Sequence, residues 1–306
     1  MSYVLRTFNL NKKIKNTEII NDLNMNIKKG EIYGFLGENG SGKTTTLKLI
    51  TNLLKPTSGS IEVFDEPVTN DNFEILKRIG SIIEYPSFYE KLTAVENLQI
   101  HKALMGYEDK NCIVEAIEMV KLKNYEKKLV KQFSLGMKQR LGIARALLTK
   151  PELLILDEPI NGLDPLGIKD IRELLINLSK NYGMTILISS HILSEIEQLA
   201  DRIGIIHHGT MIEELDYNTI QQKNRHSIEI ITNDVKKATF LLTEKLGINN
   251  FIVDDFNKIK IYERLNESSK INLILSQNNV EIESINIKKD SLEDYFITLI
   301  GGNKNA

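Results

Sequence analysis

Residues 32–50 read IYGFLGENGSGKTTTLKLI, and the two ends of this segment differ in their apolar spacing. Its first five residues are largely apolar, as in a strand buried on both faces of a parallel sheet, and its end has the apolar spacing of a helix. Between them, Gly37–Thr44 match the pattern G-x-x-x-x-G-K-[ST]. In such a loop, successive backbone N–H groups converge on phosphate oxygens, and the helix N-terminus adds a favourable dipole. The stretch therefore predicts a strand, a loop and a helix that bind a nucleoside triphosphate.

The side chains of this loop have separate predicted roles. Lys43 supplies a positive charge for the β- and γ-phosphates, and Thr44 offers its hydroxyl to Mg²⁺. The alternative is a glycine turn that only caps a helix, but the pattern arises by chance in about one chain of this length per hundred. The predicted nucleotide-binding residues are Gly37, Glu38, Asn39, Gly40, Ser41, Gly42, Lys43, Thr44 and Thr45.

A second motif, LLILDE at 153–158, places two acidic residues at the end of a short apolar run. Asp157 is a candidate ligand of Mg²⁺, usually through its water shell. Glu158 is a candidate base that orients or deprotonates the attacking water. Two acids at a strand end are also a common solvated feature, so this prediction depends on the phosphate loop that precedes it.

Other segments indicate strands and helices in alternation. Residues 23–27 alternate apolar and polar, which is typical of a strand with one wet face in an antiparallel sheet. Residues 185–189 form another short run that is apolar on both faces, as in a parallel sheet. Helical spacing of apolar residues follows at 168–178 and at 192–200. The order predicts an α/β layer fold.

Composition limits the class of protein. The chain has 306 residues, of which 42% are hydrophobic and 26% charged, with a net charge of -2. This balance disfavours nucleic-acid binding by bulk charge, so no nucleic-acid partner is expected. Cys112 is the only cysteine, which excludes an internal disulfide and a multi-cysteine zinc site. No apolar run approaches the roughly 18 to 20 residues of a membrane span, and the start has no secretory-type segment, so we expect a cytoplasmic protein.

The region after residue 214 lacks the glycine-rich motifs of the first part. Its pattern predicts strand 227–232, helix 235–246, strand 250–254, strand 259–263, helix 266–277 and strand 280–287, with a last helix from Ser291. This order is that of a split βαβ domain, which we expect to be ferredoxin-like. The region holds no constellation of reactive residues, which favours an accessory domain without chemistry of its own.

The segment FSLGMKQR at 133–140, followed by LGIARALL, resembles the signature segment of ATP-binding cassette (ABC) ATPases. Leu135 replaces the first of the two usual glycines and Met137 the usual glutamine, while Gly136 is kept. Taken alone, Ser134 is simply a good helix N-cap. The order of the other motifs also resembles this family: the phosphate loop at 37–44, the signature at 134–138, the acids at 157–158, a D-loop at 161–164 and the switch residue His191.

The resemblance covers residues 1 to about 214 and implies an α/β fold with several parts. These are a P-loop NTPase core with a parallel sheet, an antiparallel β subdomain, and a helical subdomain at about 86–149. Residues 215–306 then form the small α+β domain. In the family, two such chains form a head-to-tail dimer that holds ATP between the phosphate loop of one and the signature of the other.

The resemblance also assigns residues to the dimer site. Ser134 and the N–H of Gly136 would point the positive end of a helix at the γ-phosphate across the interface. Asp164 would lie at the same interface, although it is also a good N-cap before Pro165. His191 would contact the γ-phosphate and act with Glu158 in catalysis; the alternative is an ordinary residue at a helix start.

Two departures from the family pattern stand out. Glu84 takes the place of the usual glutamine, which adds a charge near Mg²⁺ and removes two N–H donors. We expect it to contact the nucleotide and the metal. Ile14 takes the place of an adenine-stacking aromatic residue, which costs about 1 to 3 kcal/mol if contacts in nucleic-acid complexes are a guide. The glutamate variant resembles the ATPases of bacitracin and lantibiotic exporters.

That subfamily implies an ATPase subunit that exports a peptide antibiotic and confers resistance or immunity. Its membrane-spanning permease would be a separate chain, so this subunit would lie on the inner face of the cell membrane. Tyr85, Phe88, Tyr89 and residues 93–105 would form the docking groove for a permease helix, unless these aromatics only fill a core. The alternatives are a soluble cassette ATPase acting on nucleic acid or ribosomes, and a regulatory module that binds ATP without turnover.

Overall fold

The computed structural model describes residues 2–69, 71–216, 218–219, 226–254 and 257–289. The chain divides into two compact units, Met1–Tyr217 and Asn218–Ala306. The predicted division after residue 214 falls inside strand Thr210–Asp216, which belongs to the first unit. Each unit has its own hydrophobic core.

The first unit combines two sheets with a set of helices. Its strands are β1 (Tyr3–Ile14), β2 (Thr17–Lys28), β3 (Ile32–Leu36), β4 (Ser58–Val63), β5 (Glu66–Pro67), β6 (Ile79–Ile82), β7 (Leu153–Asp157), β8 (Thr185–Ser190), β9 (Arg202–His207) and β10 (Thr210–Asp216). Its helices are α1 (Lys43–Ile50), α2 (Phe73–Lys77), α3 (Ala94–Leu104), α4 (Cys112–Met119), α5 (Leu135–Leu147), α6 (Pro165–Tyr182) and α7 (Leu193–Ile196).

The larger sheet positions the site. Its strand order is β10-β9-β3-β8-β7-β6, and all pairs are parallel except the edge pair of β10 and β9. Every residue of β3, β7 and β8 is buried, which confirms the predicted central parallel strands. Because parallel strands end at the same edge, the loop after β3 and the acids at the end of β7 lie at one edge of the sheet.

The second sheet is antiparallel and has one wet face. Its order is β2-β1-β4-β5, with both neighbours of β1 antiparallel to it. In β2, Leu23, Met25 and Ile27 are buried while Asn24 is exposed, as the alternating pattern predicts. The buried side chains share one core with Tyr33 and the phosphate-loop helix α1. This sheet therefore supports the phosphate loop from one side.

Helices α3, α4 and α5 occupy the predicted helical subdomain. Helix α3 begins with a capping box in which Thr93 and Glu96 bond each other's backbone N–H. The helix predicted over 192–200 is shorter than expected: α7 ends at Ile196, and the N–H groups of Leu199 and Ala200 both bond the Ile196 carbonyl. The chain must turn there because β9 begins at Arg202. Among the described residues, no helix is both long enough and apolar enough to cross a membrane.

The described part of the second unit contains an antiparallel sheet and two α-helices. Its elements are β11 (His226–Thr232), α8 (Val235–Leu246), β12 (Phe251–Asp254), β13 (Lys258–Ile261), α9 (Ser268–Gln277) and β14 (Ile282–Lys289). The strand order β12-β13-β11-β14 agrees with the predicted split βαβ arrangement. Side chains of both helices share a core with Ile228, Ile230, Ile259 and Ile261. The helix predicted from Ser291 lies outside the described residues.

Candidate nucleotide-binding and hydrolysis site

The phosphate loop connects β3 to α1 and has a backbone that requires glycine. Gly40 and Gly42 have φ values of 82° and 109°, in the left-handed region that side chains disfavour. A Cβ on Gly42 would lie 2.6 Å from the Cδ1 atom of Ile20. Lys43 and the two threonines after it form the first turn of α1, so the helix N-terminus faces the loop. This arrangement suits a bound anion.

Lys43 and Ser41 place a charge and a hydroxyl inside the loop. The Lys43 side chain is 6% exposed, and its Nζ donates to the carbonyl oxygens of Gly37 at 2.7 Å and Glu38 at 3.1 Å. The buried Ser41 hydroxyl finds no hydrogen-bond partner among the described residues. An unpaired buried polar group is costly, so this hydroxyl is suited to a phosphate oxygen. The loop thus fits a triphosphate.

The predicted magnesium residues lie together at the sheet edge. Thr44 Oγ1 donates to Asp157 Oδ2 at 2.8 Å, and Ser189 Oγ donates to Asp157 Oδ1 at 2.6 Å. Hydroxyl and carboxylate oxygens are the donors that Mg²⁺ prefers, with phosphate oxygens completing its shell. The described residues contain no group of three or more His, Cys, Asp and Glu side chains able to hold a metal. Thr44 and Asp157 therefore fit a metal bound together with a nucleotide.

Glu158 lies between a cation and a histidine. Its Oε1 is 3.4 Å from Lys43 Nζ, and its Oε2 is 2.8 Å from His191 Nδ1. The residue has a φ of 48°, and its N–H donates to Ser189 Oγ at 2.9 Å. With this backbone conformation, the Glu158 carboxylate lies beside Lys43 of the phosphate loop. The structure thus brings Glu158, His191 and Lys43 into one cluster suited to proton transfer.

Two predicted interface residues cap their own helices. Ser134 Oγ accepts from the N–H of Met137 at 3.3 Å, and Asp164 Oδ1 accepts from the N–H of Gly167 at 3.0 Å. Gly136 lies in the first turn of α5, and a Cβ added there would lie 3.8 Å from Cδ2 of Leu163. Within the described part of the chain, no hydrogen bond or ion pair joins Ser134 or Asp164 to the phosphate loop.

Glu84, which is expected to contact the nucleotide and the metal, forms an ion pair with the phosphate-loop helix. Its Oε1 accepts from Lys48 Nζ of α1 at 2.6 Å. Its contact with the metal stays a prediction. The Glu84 backbone has a φ of 65°. Ile14, at the usual adenine-stacking position, has an exposed side chain.

Comparison with known proteins agrees with this geometry. Residues 20–161 match the ABC transporter family model. The chain is 54% identical over 303 residues to the uncharacterized ABC transporter ATP-binding protein YcbN of Bacillus subtilis (strain 168), with 99% of each chain covered. It is 50% identical over 302 residues to the bacitracin transport ATP-binding protein BcrA of Bacillus licheniformis, again covering 99% of each. The chain belongs to the ABC transporter family.

Further similarities extend the comparison. Over 217 residues the chain is 49% identical to the lantibiotic transport ATP-binding protein SrtF of Streptococcus pyogenes, covering 70% of this chain and 92% of that one. The structure of cbiO1 from Clostridium perfringens matches with a TM-score of 0.67 and 25% identity, covering 81% of this chain and 98% of that one. A dimeric post-hydrolysis state of the cassette MJ0796, bound to ADP and Pi, matches with a TM-score of 0.62 and 26% identity, covering 70% and 98%.

As an ABC ATPase, this protein binds ATP and couples its hydrolysis to transport. The fold class predicted from the motif order, an ABC-type P-loop core with parallel and antiparallel sheets, is confirmed. The rival interpretation of an ATPase that acts on nucleic acid or ribosomes is not supported by the relatives, whose names describe transport.

Ser189 is a site residue of this ABC ATPase that the sequence motifs did not single out. Its buried hydroxyl donates to the Asp157 carboxylate and accepts from the Glu158 N–H, so it orients both acids.

Glu195 is another acidic residue that interacts with Glu158 and His191. Burial raises the pKa of the Glu195 carboxyl, while Arg172 and His191 partly oppose the rise. The nearby Glu158 carboxylate adds to the rise in the pKa of Glu195.

We expect Ser189→Ala to lower the rate of ATP hydrolysis by about 5- to 30-fold. The loss of one hydrogen bond to a charged group is worth about 1.5 to 3 kcal/mol, less whatever a water molecule recovers. Steady-state ATPase assays at saturating ATP measure the effect. Ser194→Ala, which alters an exposed serine of α7, is the matched control. Turnover equal to that of the parent would show that Ser189 does not orient the acids.

Proposed function

We propose that this ABC ATPase powers the export of a peptide antibiotic such as bacitracin or a lantibiotic, and so confers resistance or immunity. The observation that carries the proposal is the full-length similarity to the bacitracin transport ATP-binding protein. The similarity to the lantibiotic transport protein supports the same substrate class. The subunit would work in the cytoplasm, on the inner face of the membrane, beside a permease that supplies the pathway.

The hydrolytic step follows from the cluster at the sheet edge. ATP would lie in the phosphate loop with Mg²⁺ held by Thr44 and Asp157, and the bound ion would offset the charge of the phosphates. Glu158 would accept a proton from water as the water oxygen bonds to the γ-phosphorus and the bond to ADP breaks. His191 holds the second oxygen of Glu158 at 2.8 Å and so orients the base.

A second copy of the chain would complete this site. Ser134 and the N–H of Gly136 lie at the N-terminus of α5, where the helix dipole favours an anion. Because neither is bonded to the phosphate loop of its own chain, we infer that they serve the nucleotide held by the partner copy. Asp164 begins α6 beside the signature and would meet the same interface. The dimeric form of the similar cassette MJ0796 supports this arrangement.

The loop after Glu84 offers a docking groove for the permease. Tyr85 and Tyr89 are 67% and 62% exposed, so they do not fill a core. A groove of about 390 Å³ lies beside them, lined by Ser87, Phe88, Tyr89, Asn97, Ile100, His101, Leu104 and Arg145. Burial lowers the pKa of His101, with a further contribution from Arg145, which favours the neutral imidazole at pH 7. An aromatic groove of this kind suits a helix of the membrane subunit.

Expression in a sensitive bacterium tests the proposal. The ATPase, produced together with a candidate permease, should raise the concentration of bacitracin or of a lantibiotic needed to stop growth. The same pair carrying Glu158→Gln should give no protection, although the protein is still made. Absence of protection against both antibiotic classes, combined with normal ATP turnover by the purified complex, would contradict the proposed substrate class.

We expect Glu84→Gln to reduce transport or resistance more than it reduces ATP turnover. The amide keeps the side-chain length but removes the charge, and Glu84 lies at the start of the loop that borders the groove. Parallel measurements of ATPase activity and antibiotic resistance in the same strain compare the two effects. A greater loss of turnover than of resistance would place Glu84 mainly at the metal.

A further inference from the structure

The ion pair of Lys48 and Glu84 joins two parts of the site that the motifs treat separately. Lys48 belongs to α1, the helix whose first turn carries Lys43 and Thr44. Its Nζ donates to Glu84 Oε1 at 2.6 Å, across 36 positions in sequence. The Lys48 side chain is 31% exposed, whereas that of Glu84 is 65% exposed. The lysine is thus the more buried member of the pair and the glutamate the more exposed one.

The loop that begins at Glu84 is fixed at its far end. Glu90 Oε1 accepts from Lys138 Nζ of α5 at 2.8 Å, and Arg145 of the same helix donates to the Ser87 carbonyl at 2.9 Å. The backbone N–H of Tyr89 also donates to the Asn97 side chain at 2.9 Å. Since these contacts hold residues 87–90, a change in the Glu84 contact can occur without release of the rest of the loop.

The negative charge of Glu84 allows its carboxylate to bind either the Lys48 ammonium group or a metal ion. A carboxylate is an acceptor only, and it is a stronger ligand for Mg²⁺ than the neutral amide of glutamine. An ammonium group bonded to the carboxylate competes with a metal for the same oxygen. Lys48 and a metal held by Thr44 and Asp157 would therefore be alternative partners of Glu84.

We propose that Lys48 is a positioning residue that holds the Glu84 carboxylate in an ion pair on α1, where the ammonium group competes with Mg²⁺ for the same oxygen, and thereby raises the Mg²⁺ concentration needed for ATP binding. The inference rests on the proposed function only in placing Mg²⁺ at Thr44 and Asp157. It predicts that Lys48 acts through Glu84 and not on the nucleotide itself.

A magnesium titration of ATP binding tests this role without requiring turnover. A fluorescent ATP analogue is bound to the purified full-length chain, and the half-saturating Mg²⁺ concentration is compared between variants. Lys48→Met should lower that concentration by about two- to fivefold, since an exposed ion pair changes an equilibrium by a factor of this size. Lys48→Arg, which keeps the charge, should remain close to the parent.

Combining Lys48→Met with Glu84→Gln shows whether Lys48 acts through the Glu84 carboxylate or through its positive charge alone. In the Glu84→Gln background, Lys48→Met should leave the half-saturating Mg²⁺ concentration unchanged. Lys77→Met, which removes an ion pair of the same 2.6 Å length with Glu74 on α2, should also cause no change. No shift in the Glu84 parent, or an equal shift in the Glu84→Gln background or on Lys77→Met, would overturn the proposal. Because binding is measured, these outcomes are independent of whether the chain exports an antibiotic.

Discussion

Glu158→Gln is expected to slow ATP hydrolysis by about 10²- to 10⁴-fold while ATP stays bound, which is the usual contribution of a positioned base. The amide keeps the size of the side chain and can still bond His191, but it cannot accept a proton from water. It also removes the charge 3.4 Å from Lys43 Nζ, which leaves that ammonium free for phosphate oxygens. The variant should therefore accumulate in its ATP-bound state.

Steady-state ATPase assays measure the loss of hydrolysis, and sedimentation with Mg²⁺-ATP measures whether the ATP-bound protein is a dimer. The Glu158→Gln protein should be nearly inactive and should sediment as a dimer with ATP. Glu152→Gln is the matched control, since Glu152 precedes the opposite end of β7 and pairs with Arg78 at 2.7 Å. Turnover equal to that of the parent would remove Glu158 from the mechanism.

Lys43→Met is expected to weaken ATP binding by about 10²- to 10³-fold. Lys43 is buried in the loop, and its ammonium group is suited to phosphate oxygens in charge-assisted hydrogen bonds. Losing about 3 to 4 kcal/mol of such contacts corresponds to this change in affinity. Methionine fills a similar volume without the charge, so the fold should persist.

Equilibrium titration with a fluorescent ATP analogue measures the affinity, and thermal unfolding without nucleotide checks the fold. Lys150→Met is the control, because it removes a lysine that pairs with Asp109 and Glu115 instead of lying in the loop. An affinity for ATP within threefold of the parent would contradict the assigned role of Lys43.

Much of the first unit could be predicted because its sequence signals are local. Short runs that are apolar on both faces are typical of strands covered on both sides, and they predicted β3, β7 and β8. The phosphate loop and the acids at 157 and 158 then had to meet, since parallel strands end at one sheet edge. The contact of Thr44 with Asp157, 113 positions apart, follows from that rule.

Other parts of the site depend on packing that no local pattern records. The bond of Ser189 to Asp157 needs the register in which Asp157 lies opposite Ser189 on neighbouring strands. The direction of Glu84 depends on where Lys48 emerges from α1, which spacing along the chain does not state. Taken without the signature segment, Ser134 carries only the signal of a helix cap, because its proposed ligand belongs to another copy.

The central claim is that two copies of this chain enclose ATP between the phosphate loop of one and the signature helix of the other. A crystal structure of the Glu158→Gln protein with ATP and Mg²⁺ tests it most directly. We expect Ser134 Oγ of one copy to lie about 3 Å from a γ-phosphate oxygen of the ATP that is bound in the phosphate loop of its partner. A structure with ATP in the phosphate loop and Ser134 of every copy more than about 6 Å from any phosphate, too far for a direct hydrogen bond, would contradict it.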